Sequence, residues 1–172
     1  AAFSLNFGMG LFSVVSNSTG YQQVADAQYG VSFFIGLFLY GVVSPVTEEI
    51  IYRGITYQRL KRTFGVIPAM LISALIFGGL HGNWVQAVYG TLMGILLAWV
   101  YEKYAGFLAP VLVHMAANLG VYSITYGSRL AGLSRNTCIM ATIVSVLITG
   151  VCFWHLNCRM SQSAGMMHNE GK

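Results

Sequence analysis

Four stretches of this chain carry no Asp, Glu, Lys or Arg: residues 27–47, 66–101, 104–128 and 136–158. A helix that crosses a bilayer needs about 20 predominantly apolar residues. The pattern therefore predicts an all-α, polytopic membrane helical bundle with five transmembrane helices, at about 31–52, 66–82, 84–102, 106–126 and 136–157. Residues 1–15 are apolar too but short for a span. Because the chain begins with Ala1, they read as the stub of a trimmed helix, and they do not resemble a complete signal peptide. Residues 159–172 read as a short polar tail.

Composition supports a lipid-embedded chain. Of 172 residues, 56% are hydrophobic and 8% charged, with mean hydropathy +0.65, where a soluble domain carries roughly 25% charged residues. The placement of the basic residues predicts the topology. Arg53, Arg59, Lys61 and Arg62 follow the first span, Lys103 the third, and Arg159 and Lys172 the fifth, while Arg129 and Arg135 fall on the other side. That imbalance puts residues 53–62 and the C-terminus in the cytoplasm. The net charge of +4 is then mostly a topology signal, and no aromatic-basic surface pattern points to nucleic acid. Cys138, Cys152 and Cys158 all fall on or beside the fifth span, and the first two would stand about 21 Å apart along a helix, too far for a disulfide. They read as apolar filler.

Polar groups at membrane depth are costly, are usually paired and mark function. The candidates are Glu48, Glu49, Arg53, His81, His114 and Asn118. Glu49 and Arg53 are four residues apart on one helix face and can pair, whereas Glu48 is rotated about 100° away and has no local partner by this spacing. His114 and Asn118 are also four apart and share a face. Gly78, Gly82, Gly90 and Gly94 read as close helix packing.

Relative height adds a tertiary expectation. With the first two spans forming a hairpin near Thr63–Gly65, Glu48 and His81 both stand about 23 Å above the turn and are level. His114 is only eight residues beyond Gly106, about 12 Å, which is too low by about 10 Å unless the first hairpin projects into the cytoplasm. Pro45 can cap a new helix or kink a continuous one, and residues 31–43 alone are too short to cross, which favours the kink.

Glu48-Glu49-x-x-x-Arg53, Phe77-x-x-x-His81 and His114-x-x-x-Asn118, in that order on successive apolar segments, resemble the CAAX protease and bacteriocin-processing family of intramembrane proteases, also called the Abi family. Each motif alone is weak; the ordered set is specific. The resemblance covers residues 31–126, a four-helix catalytic core, with Tyr52 standing where many members have Phe. Residues 1–30 then form an N-terminal stub and external segment, 127–158 an extra transmembrane helix, and 159–172 a cytoplasmic tail. The resemblance implies glutamate-dependent hydrolysis of a peptide bond, with a peptide or prenylated protein as substrate and membrane lipid as the surroundings. It implies Glu48 as the base that activates water, His81 holding that water, and His114 and Asn118 donating to the oxyanion. Glu49 and Arg53 would brace the site, without a metal. A buried carboxylate is a better base than a hydrated one, and preorganised oxyanion donors are often the largest catalytic contribution. The resulting cavity is expected to open toward the cytoplasmic half of a bacterial plasma membrane.

Two other readings of the same residues stay open. A zinc enzyme would use His81, His114 and Glu48 as ligands with water in the fourth position, although no HExxH motif is present. A non-catalytic immunity or scaffold protein would use His114 and Asn118 as interhelical glue. His155, beside Trp154, and His168 in the tail read as interfacial and tail residues. No phosphate-binding glycine pattern appears, and nothing in the pattern fixes the oligomeric state.

Overall fold

The computed structural model describes residues 18–131, which form five helices joined by short turns. These are α1 (Thr19–Tyr29), α2 (Phe33–Phe64), α3 (Val66–Gly79), α4 (Trp84–Lys103) and α5 (Leu108–Ala131). Of these, α2, α4 and α5 are long and apolar enough to cross a membrane. The residues 1–15, the fifth predicted span, the polar tail, the three cysteines, Arg135, His155 and His168 lie outside the described residues.

The long helix α2 carries the first motif, and its geometry departs from a regular α-helix in a way the sequence requires. It runs through Pro45 without a break, but Leu39–Val43 and Ile50–Tyr57 are π-helical. Its buried residues are Gly36, Gly41, Pro45, Glu49, Arg53 and Tyr57, one step of five followed by four steps of four. On a helix of 3.6 residues per turn, a four-residue stripe drifts about 40° per step. The wider π turns take up that drift and keep the stripe on one face. The first π segment also ends just before Pro45, which has no N–H and would press on the carbonyl four residues back in a regular helix.

Gly65, at φ +81°, ends α2 and turns the chain directly into α3, close to the expected hairpin. The second predicted span is shortened. Helix α3 stops at Gly79 after 14 residues, about 21 Å, against the roughly 30 Å of a hydrocarbon core. Residues 80–83 form a turn instead, with Gly82 at φ +77° and Asn83 capping α4 through Gln86 N–H at 2.9 Å. His81 therefore sits on a turn and not inside a span.

Helices α3 and α4 pack at close range. A Cβ on Gly78 would lie 2.4 Å from the Ala87 carbonyl oxygen, and one on Gly94 would lie 2.9 Å from Ala74 Cα. The small-residue reading holds for Gly78, Gly90 and Gly94 but not for Gly82, which serves the turn. At the Gly65 end, Lys61 pairs with Glu102 at 2.7 Å, so Arg59, Lys61, Arg62 and Lys103 gather at one end of the bundle.

The segment expected to be an external stub contains α1. Ser18 Oγ caps it by accepting from Tyr21 N–H at 3.3 Å, and Asp26 ties it to Arg129 of α5 at 2.8 Å. The core also runs past residue 126, since α5 continues to Ala131.

Candidate active site

The polar residues of three helices and one turn meet in the middle of the bundle. Glu48 and Glu49 stand halfway along α2, about 15 residues from either end. Glu49 is fully buried and holds two partners: Oε2 lies 3.1 Å from Arg53 Nε, and Oε1 lies 2.9 Å from His114 Nδ1. Arg53, 1% exposed, spends Nη2 on the Gly94 carbonyl at 3.1 Å and lies over the Phe77 ring at 5.2 Å. One buried carboxylate thus joins α2 to α5, and its arginine joins α2 to α4. A carboxylate only accepts, so His114 Nδ1 carries the hydrogen and Nε2 is left to face Glu48, whose Oε2 is 3.6 Å away.

Glu48 is half-buried and turned to a cavity of about 300 Å³. Ser44 Oγ donates to its Oε1 at 2.5 Å. Ser44, four residues before Glu48, is the local partner that the Glu–Arg spacing does not provide, and it follows from the same i, i+4 rule. His81 also faces the cavity, with Nδ1 donating to the Phe77 carbonyl at 2.7 Å, which leaves Nε2 as its free nitrogen. Its ring packs on Phe77 and fits beside α4 because Gly90 has no side chain; a Cβ there would come within 3.3 Å of the imidazole. Asn118 lines the cavity too, but its Nδ2 donates to the Tyr40 carbonyl at 3.1 Å.

Glu48, His81, His114 and Asn118 therefore share one cavity wall. The height mismatch expected for His114 is absent because α5 starts short of the hairpin tip. His114 is six residues into α5, while Glu48 is 16 residues from the end of α2; the α2–α3 hairpin extends past the start of α5 by about 10 residues, roughly 15 Å.

The cavity continues away from this cluster toward α1, where Tyr21, Gln28 and Tyr29 contribute, with Tyr122 from α5. These were not recognised as site residues, since nothing in residues 18–30 carries a buried charge or a motif. Burial pushes the Tyr29 phenol up to about 12, so this wall is uncharged at neutral pH. On α2 the lining residues are Tyr40, Ser44 and Glu48, all in the half away from Arg59, Lys61 and Arg62. The cavity therefore lies toward the end of α2 opposite those basic residues. Among the described residues, no group of three or more His, Cys, Asp or Glu side chains is arranged to hold a metal ion.

The three motifs and the shared cavity coincide with a family match. Residues 30–120 match the type II CAAX prenyl endopeptidase Rce1-like family. The chain belongs to that family. Among curated proteins it is 29% identical over 108 residues to "Putative membrane peptidase YdiL" of Bacillus subtilis, covering 63% of this chain and 43% of that protein. It is 24% identical over 111 residues to "UPF0177 protein YxdF" of Lactococcus lactis, covering 63% of this chain and 59% of that one. The chain thus spans about half the length of these relatives. No solved structure matches it. Family membership and the three long apolar helices make it an integral membrane protein.

Proposed function

We propose that this chain is the catalytic core of an intramembrane endopeptidase in which Glu48 activates the water that attacks a peptide carbonyl. The observation that carries this reading is the pairing of two adjacent carboxylates with one histidine. Glu49 is consumed in holding His114 and Arg53, whereas Glu48 faces the cavity beside His114 Nε2. A water in the cavity gives a proton to Glu48 and is oriented by the lone pair on His81 Nε2. His114, when its ring carries a second proton, donates from Nε2 to the oxyanion. Water attack forms the new C–O bond, the C–N bond then breaks, and the proton held by Glu48 passes to the leaving amine. Ser44 fixes the Glu48 rotamer, leaving Oε2 on the side of His114.

The family match supports the C-terminal segment of a prenylated protein as substrate, and a lipid-embedded precursor peptide is the second candidate. The mixed cavity wall, carboxylate and imidazoles at one end and tyrosines at the other, suits a chain with a polar backbone and large apolar side groups. The bacterial relatives favour a bacterial plasma membrane, and the basic tail residues Arg159 and Lys172 favour a cytoplasmic C-terminus.

The test is cleavage of prenylated and unprenylated peptides by purified protein in detergent, read by mass spectrometry. Glu48→Gln keeps the shape and an acceptor for Ser44 but removes the base, so hydrolysis should fall by roughly 100-fold or more with the melting temperature little changed. Wild-type cleavage by Glu48→Gln would refute this mechanism.

A further inference from the structure

The hydrogen bond made by Asn118 gives it a duty beside oxyanion binding, since its amide nitrogen has two hydrogens and the Tyr40 carbonyl takes one. In the first π segment of α2, Ser44 N–H donates to the Leu39 carbonyl, five residues back. In the same register the next donor, to the Tyr40 carbonyl, would be residue 45, and Pro45 has no N–H. With Ser44 N–H already used, the Tyr40 carbonyl is left without a backbone donor in a helix of membrane-spanning length, where water is scarce and an unmade bond is costly. Asn118 supplies the missing donor from α5 at 3.1 Å.

The surrounding packing is built for this contact. Gly41 lets α2 and α5 approach so closely that a Cβ there would lie 2.5 Å from Leu119 Cδ2, and a Cβ on Gly36 would overlap the Tyr122 hydroxyl. The residue after the clamped turn is Ser44, whose hydroxyl holds Glu48. The π turn sets the rotation of Ser44 and Glu48 about the α2 axis relative to the preceding turns that pack on α5. We infer that Asn118 is a positioning residue, which locks the Pro45 π turn through the Tyr40 carbonyl and so holds Glu48 on the cavity wall. This deepens the proposed function, since it rests on Glu48 being the base.

Pro45 provides the test. Pro45→Ala restores an N–H that can reach the Tyr40 carbonyl from within α2, which makes the Asn118 donor redundant. Asn118→Leu, in wild-type and P45A backgrounds, is compared by melting temperature in detergent and by kcat and KM for peptide cleavage. In the wild-type background it should lower both the melting temperature and kcat, with KM nearly unchanged. In the P45A background the same substitution should cost less in both, with kcat recovering by about 2- to 100-fold, the range of coupling between contacting residues. Folding of Asn118→Leu in the P45A background alone is rescue at its extreme. Failure in both backgrounds, repeated with Asn118→Ala, overturns the clamp, as does an equal loss of melting temperature in both. Recovery of melting temperature with no recovery of kcat overturns the positioning role and returns Asn118 to direct contact with substrate. Wild-type activity of Glu48→Gln would instead bring down the proposed mechanism, and the melting temperatures would still decide whether the clamp exists.

Discussion

Replacing Glu49 by Gln tests whether the second carboxylate of the motif holds the bundle together. Glu49 is fully buried and Arg53 is 1% exposed, so their 3.1 Å pair is shielded from water. In Glu49→Gln the amide oxygen can still accept from His114 Nδ1, but the amide nitrogen turned to Arg53 Nε sets donor against donor. Arg53 keeps the Gly94 carbonyl and the Phe77 ring, neither of which carries a negative charge. Removing one partner of a buried pair costs about 3 to 5 kcal/mol. At about 2 to 4 °C per kcal/mol for a chain of this size, the melting temperature should fall by roughly 6 to 20 °C. Adding Arg53→Met removes the stranded charge, and the double variant should melt above Glu49→Gln alone. Differential scanning fluorimetry in one detergent reads all three proteins. Glu49→Gln melting with the wild type would refute the reasoning, and a double variant less stable than the single would show that the Gly94 bond, not the ion pair, matters most.

Three further outcomes are expected. Chelation with EDTA or phenanthroline should leave peptide cleavage unchanged, whereas loss of activity restored by zinc would favour a site using His81, His114 and Glu48. Cysteines introduced at Ala27 and Thr63 in a cysteine-free background should label from opposite sides of the membrane, with Thr63 on the cytoplasmic side; labelling of Thr63 from outside would invert the topology drawn from the basic residues. Gly41→Ala drives a methyl against Leu119 at 2.5 Å and should destabilise by about 1 to 3 kcal/mol, as overpacking does, with cleavage falling alongside; a neutral result would show that α5 yields easily there.

Much of this arrangement was legible from spacing alone. The Glu49–Arg53 pair, the shared face of His114 and Asn118, the level placement of Glu48 and His81 and the hairpin at Gly65 all follow from helical periodicity and length. The π turns were not legible, because five-residue steps are invisible to a reading that assumes 3.6 residues per turn; Pro45 was the available sign. The end of α3 was missed because an uncharged run continues through Gly79 into the turn, where Gly82 and Asn83 mark the boundary. Helix α1 was missed because its residues are mixed in polarity and its place over the cavity depends on tertiary contacts such as Asp26 with Arg129. Asn118 was assigned from its face, and only the position of the Tyr40 carbonyl revealed what it touches.

A π turn is, in evolutionary terms, a one-residue insertion that the helix has absorbed. Deleting one residue from Leu39–Val43 would leave a regular α-helix with the preceding turns on nearly the same face relative to Glu48. A relative without the bulge should then align to this chain through a single-residue gap at that point, despite having the same catalytic residues. If it also lacks a proline at the position of Pro45, it has no stranded carbonyl, and selection for a donor at position 118 should be relaxed on that account. Gap and proline should therefore be gained and lost together across the family.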